Sequence, residues 1–382
     1  MSSRLRAFVC YDLCVRRLVS ASVLLLLASG LLALALPAPE RTAPVPVPID
    51  ATEHARDIAA LAPRRTPPLV AVLGQNDGTE TTDFLVPYGV LRESGAAEVV
   101  AVATRPGPLA LHPALTVQPQ ATTAELDARH PEGADYVVVP AMHRADDGDV
   151  LAWVRAQAAK GATIVGVCDG ALVLAAAGLL DDREATAHWY SRDGLRKRHP
   201  GMRWTRDRRY VVDRNVVTTT GITASIPVSL ALVEAIAGRP AAEDLARRLG
   251  VERWDAAHDS DAFHLDRGHI RTAAGNWLAF WSHETVGIPV ADGVDEIALA
   301  LAADAWSRTY RSQAAAVAAA PVTTRRGLTL VPDGPGRAWV DVPSPATDRP
   351  ARALDDTLAE IARRYGEPTA AFVALQLEYP WR

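Results

Sequence analysis

From Leu69 onward the chain alternates short apolar runs with longer amphipathic stretches. "LVAVLG" (69–74), "EVVAVA" (98–103), "DYVVVP" (135–140) and "TIVGV" (163–167) are each bounded by turn residues, which predicts buried strands. Helical spacing fills 83–95 and 149–160 between them. This alternation predicts an α/β domain with a parallel sheet covered on both faces. "RYVVDRNVVTTTG" (209–221) then reads as a hairpin about Asp213, Arg214 and Asn215. Helices at about 223–238 and 241–249 close this region near residue 250.

The remainder, 251–382, predicts a smaller α/β segment. Its elements are a helix around 272–284, a strand-like "VGIPV" (286–290) and a long Ala-rich helix at 294–319. "GLTLV" (327–331), a helix at 352–365 and "AAFVALQLEY" (370–379) complete it. "TDFLVPYGVL" (82–91) is echoed by "DEIALALAAD" (295–304), and "ALTVQPQ" (114–120) by "GLTLVPD" (327–333), at a spacing of about 212 residues. Two expectations stand side by side: half of a second copy without its own cysteine turn, or a helical cap with two added edge strands. Trp277, Phe280 and Trp281 follow helical spacing and predict packing in a core or interface.

The N-terminal pattern is different. Leu18 to Leu36, "LVSASVLLLLASGLLALAL", carries no charge and follows Arg4, Arg6, Arg16 and Arg17. The run nearly matches a bilayer core, and its positive flank places the start in the cytoplasm. The expectation is a single-pass inner-membrane anchor for residues 1–36, with the main domain extracytoplasmic. A signal cleaved after the Ala33-x-Ala35 pattern, releasing a periplasmic or secreted protein, is the alternative. Residues 37–67 are rich in Pro and Ala and predict a linker or stalk, with a short helix around 51–61. The main domain then spans 68–250.

Charge narrows the function. The net charge is −5 and the pI near 6.1, which gives no basic footprint for nucleic acid. "AAEDLARRLGV" (241–251) resembles the first helix of a helix-turn-helix, but the acidic "ERWDAAHDSDAF" that follows offers no recognition helix. Beyond the apolar run only Cys168 remains, so that part holds no intramolecular disulfide. His258, Asp261, His264, Asp266, His269, His283 and Glu284 match no zinc spacing, and no phosphate-cradling loop is present. Neither a metal nor a cofactor is implied.

One stretch carries chemistry. "GVCDG" (166–170) sits between a strand and a helix, the pattern of a nucleophile elbow with Cys in place of Ser. The tight turn forces the central residue into strained backbone, and glycines relieve the crowding around it. The following helix points amide N–H groups at the sulfur, which favours the thiolate and can hold an oxyanion. The bland alternative is a small buried core residue, since free Cys is among the most buried types.

"GVCDGALVLAAAGLLDDREATAHW" (166–189), with "DFLVPYGVL" (83–91), resembles the ThiJ/PfpI family of the class I glutamine amidotransferase-like superfamily. It is most similar to the amidase-like N-terminal domains of AraC-type regulators and to isonitrile hydratases, without a DNA-binding tail. The resemblance implies a flavodoxin-like fold, a catalytic Cys168, a carboxylate near the thiol at Asp83, and a histidine at His188. It also implies a small-molecule substrate or ligand and a homodimer. Asp169 stands where the family usually has a small or hydroxylic residue, and its carboxylate opposes thiolate formation. "VPAMHR" (139–144) replaces the usual Pro-Gly-Gly, leaving Ala141, Met142 and His143, with Gly170, as oxyanion or pocket candidates. The implied chemistry is thiolate attack on a small electrophile, of hydrolase or hydratase type. A catalytically inactive ligand- or redox-sensing module is the alternative.

Overall fold

A computed structural model describes residues 45–334, 336 and 340–381. The apolar run 18–36 lies outside the described residues. Among the described residues no helix is long and apolar enough to cross a membrane.

The centre of the molecule is a seven-stranded sheet. Its strands are β1 (Leu69–Gly74), β2 (Glu98–Ala103), β3 (Ala121–Thr122), β4 (Tyr136–Val139), β5 (Thr163–Gly166), β6 (Tyr210–Asp213) and β7 (Val216–Thr219). They lie in the order β6-β7-β5-β4-β1-β2-β3, and every neighbouring pair is parallel except the β6–β7 hairpin. Alternation along β1 explains the two-sided cover. Val70 and Val72 enter one apolar cluster, while Leu69, Ala71 and Leu73 enter the other. The first face is covered by α2 (Thr81–Ser94) and α5 (Ser225–Ala237), the second by α3 (Gly148–Ala159) and α4 (Gly170–Ala176). In such sheets the loops at the carboxyl ends of the strands form the binding crevice. Cys168 lies there, just beyond β5.

The linker does not run free where it is described. Helix α1 (Ala51–Ala60) is capped by Asp50 and packs on α5. Leu61 is fully buried, and Arg208 holds Glu53 at 2.5 Å. Docking rather than spacing is therefore the role of residues 50–61.

The C-terminal segment corrects the reading of one long helix at 294–319. Helix α7 (Glu296–Ser307) stops after three turns, Tyr310 turns the chain at φ 58, and Ser312–Val317 becomes a strand. Alanine favours helix and "SQAAAV" carries no period to mark a strand, so the buried pairing here overrides local propensity. That strand, β9, pairs in parallel with β8 (Glu284–Pro289), and β8 pairs with Val340–Asp341. The stretch "AAFVALQLEY" is largely helical: α9 (Glu367–Gln376) packs against α8 (Ala353–Tyr365) and α6 (Arg267–Leu278). The order β8-α7-β9 repeats β1-α2-β2, and α7 lies against α2. Gly89 makes the close approach feasible, since a Cβ there would lie 2.6 Å from Ile297. A strand at Thr116–Gln118 pairs antiparallel with Thr329–Val331, with Val117 opposite Leu330. The two echoing stretches thus lie against each other, and one apolar cluster runs through both regions.

Trp277, Phe280 and Trp281 depart from expectation. They are 66%, 72% and 77% exposed, on the outer side of α6 and the turn that follows it.

Candidate functional site

The turn after β5 is tight enough to exclude most side chains. Cys168 adopts φ 56, a left-handed backbone that non-glycine residues rarely take. A Cβ on Gly170 would lie 2.0 Å from the Val139 carbonyl oxygen, and one on Gly166 would press on Leu174 and the Gly170 backbone. Gly170 is therefore required by space, and Gly166 would admit a Cβ only if its neighbours gave way by a few tenths of an ångström. The strain is held by the Cys168 amide donating to Thr219 Oγ1 at 2.9 Å.

The amides of the turn are mostly committed. Gly170 donates to the Val167 carbonyl at 2.7 Å and does not line the cavity, so it is not available to an oxyanion. The Asp169 amide faces the sulfur and is the one favourable contact to a thiolate among the effects that shift Cys168. Likewise Ala141 donates to Asp83 Oδ2 at 3.1 Å rather than to a ligand position.

Carboxylates dominate the surroundings. Asp83, on the first turn of α2, is fully buried, and its Oδ1 has no hydrogen-bond partner. Burial pushes its pKa well above the ordinary carboxyl range, with the Asp304 and Asp169 charges adding to the effect, which favours the neutral acid. Glu80 caps α2 through the Asp83 amide at 2.5 Å and is raised in the same way, by burial and then by Asp304 and Asp83. Arg308, from the C-terminal segment, holds Glu80 at 2.9 Å and Asp304 at 2.6 Å. Cys168 itself, 5% exposed, is pushed well above the usual thiol range by burial and by Asp83, Asp169 and Glu80. The resting sulfur is a thiol, contrary to the expectation that the helix N-terminus would make a thiolate. Helix α4 is only two turns long, and its field is outweighed by charged groups.

His188 stands beside the sulfur. Donor-type atoms of Cys168, Asp169 and His188 lie within 4.8 Å of one another, a spacing that would also admit a metal ion. His188 Nε2 is 3.1 Å from the Gln376 carbonyl oxygen, which can only accept. That assigns the ring proton to Nε2 and leaves Nδ1 as an acceptor, which takes a long hydrogen bond from the Tyr190 amide at 3.4 Å. Asp169 lines the cavity without filling it, one oxygen taking the Ser191 hydroxyl at 2.7 Å and the other buried and unpartnered.

Glu80, Cys168, Asp169, His188 and Arg308 line a cavity of about 760 Å³, whose lining does not include Asp83. Met142 and His143 line it, His143 in edge contact with His112 at 4.5 Å between centroids. Its walls are mainly apolar, including Leu172, Ile222, Leu265, Ile270, Trp277 and Phe372. Helix α6 forms the outer wall. The sequence reading missed Glu80, Arg308 and the part played by α6. Glu80 was detectable, because an acidic residue directly before a helix is a cap signal. Arg308 was hidden inside the misread Ala-rich helix.

The DJ-1/PfpI family profile matches residues 69–235. Residues 69–235 are a DJ-1/PfpI family domain. Isonitrile hydratase of Pseudomonas putida is 41% identical over 93 residues, 24% of this chain and 40% of that protein. The HTH-type transcriptional regulator CdhR of Pseudomonas aeruginosa is 37% identical over 84 residues, 22% of this chain and 25% of that protein. Among solved structures, Drosophila melanogaster DJ-1beta aligns at 21% identity with a TM-score of 0.44, over 49% of this chain and 99% of that one. The chain thus matches a quarter to two fifths of the length of these curated relatives. The DJ-1/PfpI domain here lends its strand ends to the site, and the C-terminal segment adds Arg308, Tyr310 and Gln376.

Proposed function

We propose that the DJ-1/PfpI domain and its C-terminal segment form a thiol-dependent enzyme acting on small, largely apolar electrophiles. The observation that carries this reading is Cys168 at φ 56 lining a largely apolar cavity, with a ring nitrogen of His188 within 4.8 Å of its sulfur. Because the resting sulfur is protonated, attack needs a base. The thiol proton passes to His188 Nδ1 while the sulfur lone pair forms a bond to an aldehyde, amide or nitrile-like carbon. The π electrons move to the heteroatom, which is protonated by the imidazolium. The Asp169 amide, which faces the sulfur, is the group placed to offset developing negative charge.

The similarity to isonitrile hydratase supports nitrile-like carbon as one substrate class to test. Asp169 argues against simple transfer of that reaction, since a carboxylate beside the sulfur replaces a neutral group. The crowding of carboxylates around Cys168 favours a second reading, ligand sensing without turnover, and the similarity to transcriptional regulators supports it. We also propose that residues 18–36 anchor the protein in a membrane, on the strength of their length and positive flank alone.

Iodoacetamide labelling resolved peptide by peptide tests the thiol, because Cys10 and Cys14 are read separately. Labelling of Cys168 at neutral pH is expected, and it is lost in Cys168→Ala. Replacing His188 by Gln slows it. Labelling no faster in the native protein than in His188→Gln would remove the base from the account.

A further inference from the structure

Helix α6 and the turn Phe280–Ser282 form a surface that the described residues leave uncovered. Ile270, Trp277, Leu278, Phe280 and Trp281 are all exposed, Trp281 most at 77%. Single exposed apolar residues are ordinary, but five on one short stretch are not. The helix starts at the Asp266 cap and carries two arginines along its length. Arg267 and Arg271 stand on the exposed side of α6, and no acidic residue occurs between Asp266 and Glu284. An amphipathic helix with aromatic and aliphatic groups beside arginines has the composition of a segment that lies in an anionic lipid headgroup layer. Trp and Tyr suit that layer because each has an apolar body and a polar edge.

Two further observations point to a bilayer rather than a protein partner. The patch is continuous with the cavity: Leu265, Ile270 and Trp277 are both exposed and part of its lining. The described chain also begins against the segment that leads into this element. The Val45 amide donates to Asp259 Oδ2 at 3.0 Å and the Val47 amide to the His258 carbonyl at 2.9 Å, and residues 258–266 lead directly into α6. Residues 37–44, with an extended reach of about 30 Å, separate Val45 from the end of the apolar run at Leu36.

We propose that α6 and Phe280–Ser282 dock on the surface of an anionic phospholipid bilayer, so that the cavity opens toward the headgroup layer. It rests on the reading of the cavity as a small-molecule site, and it names the substrate class as lipophilic electrophiles that partition into the membrane. Entry past Leu265, Ile270 and Trp277 spares such a molecule an aqueous crossing.

The test uses the full chain in phosphatidylcholine–phosphatidylglycerol vesicles carrying a photoactivatable phospholipid, with cross-linked peptides mapped by mass spectrometry. Cross-links within 265–281 are expected, and they weaken when phosphatidylglycerol is omitted. A Phe280→Ser, Trp281→Ser variant removes two outward side chains without touching the core. It is expected to lower labelling of 265–281 by at least about tenfold, with the melting temperature and the labelling of 18–36 unchanged. Lipid labels confined to 18–36, or 265–281 cross-linked instead to 18–36 or to a second copy of the chain, would overturn the proposal. Cys168 alkylation measured in the same sample reports on the site independently. A reactive Cys168 without lipid labels at 265–281 refutes the docking surface and leaves the thiol chemistry standing.

Discussion

Asp169→Asn isolates the electrostatic part of this account. The substitution keeps the shape of the side chain and an oxygen for the Ser191 hydroxyl, and it removes the negative charge beside Cys168. With donor-type atoms of the two side chains within 4.8 Å, two unit charges at an effective dielectric of about 20 repel by roughly 3.5 kcal/mol. Asp169 is partly exposed, and Asp83 and Glu80 remain, so about 1.4 kcal/mol, a tenfold gain in thiolate, is the working figure. A more acidic thiol is a weaker nucleophile, which leaves a net acceleration of about three- to tenfold. The assay is the rate of Cys168 alkylation by iodoacetamide as a function of pH, from neutral upward. Native protein should alkylate slowly at neutral pH and accelerate on the alkaline side, and the variant should reach the same rate at lower pH. An unchanged or slower rate in a variant with native melting behaviour would refute the reasoning. It would show that helix α4 or the solvent, and not the carboxylate, sets the state of the sulfur.

Other outcomes follow from the same geometry. Gly170→Ala drives a methyl group into the Val139 carbonyl, and chemical denaturation should show a loss of about 3 kcal/mol or failure to fold. Arg308→Met leaves Glu80 and Asp304 facing each other in a buried site, a loss of roughly 3 to 5 kcal/mol in the same measurement. For pH, the buried Asp83 takes up a proton on folding because its pKa is raised. Its contribution to stability is complete below the ordinary carboxyl range and disappears as pH rises through the raised value. Asp83→Asn should therefore flatten the fall in stability from acid toward neutral pH, read from denaturation midpoints of both proteins. An unchanged slope would mean that Asp83 is ionised in the folded state.

The sheet was legible because its strands are buried on both faces and read as unbroken apolar runs. "LVAVLG" and "EVVAVA" match their strands residue for residue. Cys168 was legible through its glycines, each of which has a steric reason in the structure. The electrostatics of the site were less so, because Glu80, Asp304 and Arg308 come together only when α7 packs on α2. No local pattern announces that contact, and the Ala-rich sequence around it concealed a strand. Trp277 and Trp281 show the converse failure. Helical spacing of aromatic residues signals a common face and says nothing about what that face meets.

Turnover is the most direct measure of the central claim. Native protein, Cys168→Ala and His188→Gln would be offered a panel of aldehydes, amides, nitriles and isonitriles, with product formation and equilibrium binding followed together. The account predicts turnover of at least one apolar member by native protein, its abolition in Cys168→Ala, and a much lower rate with retained binding in His188→Gln. Saturable binding without turnover, unchanged by Cys168→Ala, would contradict it and identify the cavity as a sensor.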